Sequence, residues 1–369
     1  MSNDDDTLAW AQLLLSVLDE GRRTATYKLA VLLALVDCCV TGTGSDGRAP
    51  QRVSTRDVAG RVLELYWGQV RPYPTAGGVA AVLRQSSQPR AITVDAVGAL
   101  RRSTEASSPA AARLRAPQAY EDTLDVVELN LVQMPLGKLQ RPSDYSADRS
   151  PAYPRFLYDD AAFHERVTAR QLRAHPLHVE LAPGVPDRLV GLAGLLRPLL
   201  EVHWTRAVAA FNRTAFPDDG LREFLFGADR TTLATLRDGL GDAQHGRCFY
   251  CAGPLSPGRI QVDHFVPWSR VPNDALGNLV LADSTCNGSK RDHFADLPLV
   301  ERWARRPAAA LQQVSEQRGW PLELGQSRRL ARGLYAHLPD GARLWQERGV
   351  FAVLDRARLR DLLPLLGTD

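Results

Sequence analysis

Cysteine, methionine and lysine are scarce in this chain of 369 residues, and it has no long apolar run. Five cysteines, an odd number, argue against a disulfide framework. The longest apolar stretch, around residues 29–36, stops well short of the ~20 residues a membrane span needs, so no membrane association is expected. The N-terminus opens with an acidic Met-Ser-Asn-Asp-Asp-Asp and lacks the basic and apolar regions of a secretory signal, which makes the cytoplasm the expected compartment. Charge of one sign is missing as well. Lys and Arg total 45 against 42 Asp and Glu, a formal net charge of +3, too small to announce a nucleic-acid binder by itself. Lys28, Lys138 and Lys290 are the only lysines, so arginine carries almost all of the positive charge.

What is present is a globular composition, 44% hydrophobic and 24% charged, able to bury a real core. The length suggests two or three domains. Positive charge gathers at the two ends, with net +3 over residues 1–120 and +4 over 301–369, against −3 over 121–240 and −1 over 241–300. The first ~120 residues read as short helices: leucines 8, 13, 14, 15 and 18 line one face, and residues 29–40 form a more buried helix that includes Cys38 and Cys39. An Ala/Ser/Pro-rich stretch at 103–118 marks a candidate boundary. The alternation at 126–132 and 177–181 predicts strands, and residues 186–212 and everything after 300 read as helical. The expected division is a helical or winged-helix-like module over 1–118, a candidate for DNA or partner recognition; a mixed α/β to helical linker domain over 119–240; a small domain over 241–300; and a helical region over 301–369.

The chemistry concentrates in residues 245–298. Cys248-Phe249-Tyr250-Cys251 places two thiols where one zinc ion can take both. Asp263 and His264 stand side by side on a short β-type segment and point to opposite faces. A second β-type run follows Asn278, and a helix suits residues 284–294, with Asp283 or Ser284 as its cap. The unit is strand, loop, strand, helix. Phosphodiester hydrolysis assisted by one metal ion needs a hard cation on oxygen ligands and a neutral imidazole to accept a proton from water. Asp263 and Asn287 can supply the oxygens, His264 the base, and Asn278 the partner that orients the imidazole.

These strings resemble the HNH endonucleases, the ββα-metal nuclease superfamily. Val262-Asp263-His264-Phe265-Val266-Pro267 resembles the first-strand motif of that family, Asn278-Leu279-Val280-Leu281 its central motif, and Cys286-Asn287-Gly288-Ser289-Lys290 its helix motif. The final position is Asn287 rather than His, a variant the family also uses. The resemblance implies an α+β, mostly helical chain with a small ββα-metal domain set between helical regions. It implies His264 as general base, Asn278 as the residue that orients it, and Asp263 and Asn287 as ligands of Mg2+ or Mn2+. Lys290 and Arg291 are the expected contacts to the nucleic-acid backbone.

Many such domains also carry a structural zinc on two Cys-x-x-Cys pairs. Here Cys248 and Cys251 form the first pair, but in the second only Cys286 remains, with Asp283 where a cysteine would stand. Asp283 or His245 is the candidate fourth ligand, and the alternative is three buried thiols without zinc. The function the resemblance implies is nicking of double-stranded DNA, in the setting of bacterial restriction or anti-phage defence. A dimer would permit double-strand cutting, and a defence-system partner protein is compatible with this reading. An inactive HNH-type zinc module that binds nucleic acid or protein, and an RNA-cutting toxin, are the alternatives.

Overall fold

The computed structural model describes residues 3–19, 25–73, 80–88, 90–140, 155–164, 166–212, 220–227 and 233–367. The fold is α+β and mostly helical, as the sequence implies, and the strands of the described residues form two-stranded antiparallel ribbons. No helix among the described residues is long and apolar enough to cross a membrane. The chain separates into two compact units. The first comprises Met1–Cys38, Gln51–Leu189 and Pro198–Phe226; the second comprises Cys39–Pro50, Val190–Arg197 and Gly227–Asp369.

The first unit is built on α1 (Asn3–Asp19), α2 (Tyr27–Gly42, whose end enters the second unit), α3 (Thr55–Gln69), α4 (Ile92–Thr104), α5 (Pro109–Arg115) and α6 (Pro117–Gln133). Strand β1 (Arg52–Ser54) pairs antiparallel with β2 (His178–Glu180), Val53 opposite Val179. The strand expected over 126–132 is helical instead, as part of α6. Tyr120, Thr123, Leu124, Val127 and Leu131 are all buried, so a helical period running from Pro117 overrides the local alternation of β-branched residues. The boundary expected at 118 also falls inside this unit, because α5 and α6 pack on each other and on α3 and α4.

The second unit contains α7 (Arg237–Ala243), β3 (Ile260–His264), β4 (Leu279–Asp283), α8 (Ser284–Lys290), α9 (Leu297–Ala304), α10 (Ala308–Arg318) and α11 (Leu324–Ala336). The region after 300 is not helical throughout. A hairpin of β5 (Arg343–Glu347) and β6 (Val350–Val353) turns at Gly349, whose φ is +76°.

 A turn in that left-handed region favours glycine, and it lets the alternating Leu344-Trp345 and Phe351-Ala352 runs pair.

The ββα order is present as expected. β3 pairs antiparallel with β4, with Asp263 opposite Val280 and His264 opposite Leu279. Residues 279–282 of β4 are all buried. Leu279 and Leu281 join Leu236 and Leu240 of the α7 side and Leu311 and Val314 of α10 in one apolar cluster. The loop between the strands is pinned by Asn278, which is fully buried. Its Oδ1 accepts from Val266 N at 2.8 Å, and its Nδ2 donates to Val266 O at 3.1 Å and Asn273 O at 3.0 Å. Gly277 must be glycine, because a Cβ there would meet Ser327 Oγ at 2.7 Å and Leu322 O at 2.9 Å. Phe265 stacks on Trp303 with ring centroids 4.7 Å apart.

Asn278→Ala strands buried backbone groups of the 265–278 loop. We expect it to destabilise the second unit by about 1–3 kcal/mol, read as a lower midpoint in urea unfolding followed by tryptophan fluorescence. An unchanged midpoint would contradict the pinning role.

Candidate active site

The site is assembled where the end of β3 meets the last turn of α8. Strand alternation sends Asp263 and His264 to opposite faces, and each finds its own partners. Asp263 Oδ2 accepts from Tyr250 Oη at 2.5 Å and pairs with Lys290 Nζ at 3.1 Å. Burial, and then the Asp263 charge, push the Tyr250 hydroxyl well above the ordinary tyrosine range, so it stays protonated and donates. Lys290 Nζ also donates to His264 O at 2.9 Å and lies 5.7 Å from the centre of the Tyr250 ring. On the other face, His264 Nε2 lies 2.7 Å from Asp274 Oδ1, and the Trp268 ring is 5.2 Å from the imidazole.

Asn287 lies one turn before Lys290 on α8. Its Nδ2 donates to Gln261 Oε1 at 2.7 Å, which leaves Oδ1 as the oxygen available to a cation. Gln261 and Asp263 share one face of β3. The Asp263 carboxylate and the Asn287 amide oxygen are hard-oxygen donors of the kind a divalent cation takes.

Two expectations need correction. Asn278 does not bond the imidazole: both ends of its amide are taken by the backbone of Val266 and Asn273, and the imidazole partner is Asp274. Lys290 does not face a nucleic acid: its side chain is 0% exposed and spent on Asp263 and His264. Arg291 is exposed, with only its Nε held, by Gly288 O at 3.1 Å. Tyr250 and Asp274 went unread in the sequence. The place of Tyr250 between the two cysteines was a signal for the first, whereas nothing periodic marks Asp274 within its loop.

Cys248, Cys251 and Cys286 converge, with their sulfur atoms all within 4.8 Å of one another. The knuckle docks on β4 through Phe249 N to Leu281 O at 2.9 Å, and Asp283 N donates to Cys248 Sγ at 3.3 Å. Burial, and then the charge of Cys248, push the Cys286 thiol up to about 12. Burial also raises Cys251, but hydrogen bonds from Gly253 and the neighbouring thiols outweigh it and leave that thiol lowered. Crowded thiols of this kind suit a soft or borderline cation, and zinc fits the donor set. The Asp283 carboxylate and His245 are not among the converging atoms. Asp283 instead caps α8 through Thr285 N at 2.8 Å and pairs with Arg259 at 3.0 Å.

Residues 248–295 match the family model of the HNH endonucleases, the family that the motifs of this segment resemble. Neither the curated proteins nor the solved structures yield a match to the chain.

This geometry sets expected outcomes for the thiol cluster and for two basic side chains. The purified protein should carry zinc by elemental analysis, and Cys286→Ser should lose it and lower the thermal midpoint; a zinc-free wild-type protein would contradict the thiol site. Lys290→Ala, which leaves a buried carboxylate unpaired, should destabilise by about 3–5 kcal/mol in urea unfolding. Arg291→Ala should stay within about 0.5 kcal/mol.

Proposed function

We propose that the protein is a metal-dependent endonuclease that hydrolyses phosphodiester bonds in double-stranded DNA, in the setting of bacterial restriction or anti-phage defence. The observation that carries this reading is the Asp263–His264 pair at the end of β3, with Asp263 held by Tyr250 and Lys290, His264 by Asp274, and Asn287 one turn before Lys290 on α8, inside the segment that matches the HNH model. Asp263 and Asn287 would hold Mg2+ or Mn2+, and Cys248, Cys251 and Cys286 would hold a structural zinc. When bound, the divalent cation polarises the scissile phosphate and offsets its developing charge.

The chain's own residues do the rest. His264 accepts the proton of the attacking water. Tyr250 and Lys290 fix one oxygen of Asp263, so the other is presented in a constant direction. Arg291 contacts the phosphate backbone, and the arginine-rich ends of the chain add sequence-independent, salt-sensitive affinity.

The test is nicking of supercoiled plasmid with Mg2+ or Mn2+, compared with RNA at the same salt. Wild-type protein should nick the plasmid, EDTA should stop it, and His264→Ala should lower the rate by about 10²–10⁴-fold. Absence of nicking, or nicking indifferent to His264→Ala, would overturn the nuclease reading. Preferential cleavage of RNA would overturn the DNA assignment alone.

A further inference from the structure

We infer that Asp274 is a positioning residue that fixes the imidazole of His264 in its Nε2-protonated form, so that Nδ1 is the nitrogen that takes the proton of the attacking water. This rests on the nuclease reading for its consequence in catalysis, but its structural half stands without it. His264 Nε2 lies 2.7 Å from Asp274 Oδ1, close enough for a direct hydrogen bond. A carboxylate only accepts, so the ring nitrogen facing it must carry the hydrogen, and the other nitrogen keeps its lone pair.

The loop that presents Asp274 is built for a fixed direction. On one side of it, Asn273 is buried, with its Oδ1 accepting from Ala275 N at 2.9 Å and its Nδ2 donating to Ser327 Oγ at 3.0 Å. The Asn273 carbonyl accepts from Asn278 Nδ2 at 3.0 Å, and the Asp274 carbonyl accepts from Trp320 Nε1 at 2.7 Å. The backbone on both sides of the carboxylate is thereby anchored to α11 and to the segment before it. Trp268 lies against the imidazole with the ring planes inclined by 50°, which restricts rotation of the ring. The carboxylate also lies where it stabilises the imidazolium formed once Nδ1 has taken its proton. A surface ion pair of no consequence would show neither a buried ring nor an anchored acceptor: His264 is 9% exposed.

The experiment uses the full chain labelled with 15N-histidine, in long-range 1H–15N spectra at a pH where the ring is neutral. The His264 signals are assigned by their loss in His264→Gln. The wild-type ring should show the Nε2–H tautomer, Asp274→Ala a mixture of tautomers, and Asp274→Asn, which keeps an oxygen acceptor, the wild-type form. An unchanged tautomer in folded Asp274→Ala, or an Nδ1–H tautomer in wild-type protein, overturns the inference. On plasmid, Asp274→Ala should lower kcat about 10- to 100-fold with little change in KM, and Asp274→Asn should recover part of the loss. In a His264→Ala background the same change should have no further effect, and a full additional loss there overturns the inference by placing the action of Asp274 elsewhere. If the wild-type protein cuts no nucleic acid, the nuclease reading fails, and the tautomer spectra still decide the role of Asp274.

Discussion

A single buried ammonium ties the candidate centre together. Lys290 is fully buried, and a charge in that position persists only where acceptors replace the lost hydration. It finds the Asp263 carboxylate, the His264 carbonyl and the face of Tyr250. Because Lys290 ends α8, these contacts dock the helix on the end of β3. Asn287, one turn earlier, is carried into place on the same helix and held by Gln261. The cation that sequence reasoning set on the surface is the internal rivet between strand and helix.

Tyr250 connects two chemistries that the sequence kept separate. It stands between Cys248 and Cys251, so its backbone belongs to the thiol knuckle, and its hydroxyl reaches the carboxylate. The direction of Asp263 is thereby set partly by the fold of the knuckle. Arg302 adds to this, donating to the carbonyls of Phe249 and Tyr250 and covering the Phe249 ring.

What the sequence made legible was local. The strand, loop, strand, helix order over 260–290 follows from alternation and capping residues, and the opposite faces of Asp263 and His264 follow from strand geometry. The cysteine spacing brought Cys248 and Cys251 together, and Cys286 joined them. What could not be read depends on tertiary choice. Asn278 has a side chain able to orient an imidazole, but the loop of buried backbone groups beside it claims the amide first. Residues 126–132 alternate like a strand, yet the apolar period that begins at Tyr120 extends through them and a helix wins. The β5–β6 hairpin was hidden by the helical periodicity of the residues before it, although Gly349 between two apolar runs marked the turn.

The burial of β4 on both faces bears on how the segment that matches the HNH model can be handled. Leu279 and Leu281 are covered by helices that lie before and after the family match, Phe265 rests on Trp303, and Gly277 is clasped by backbone near residue 322. A fragment trimmed to residues 248–295 would expose that apolar surface and lose the clasp, so the smallest piece able to keep its shape has to extend from about residue 233 through the β5–β6 hairpin, whose Trp345 exchanges backbone hydrogen bonds with Phe294 and Asp296.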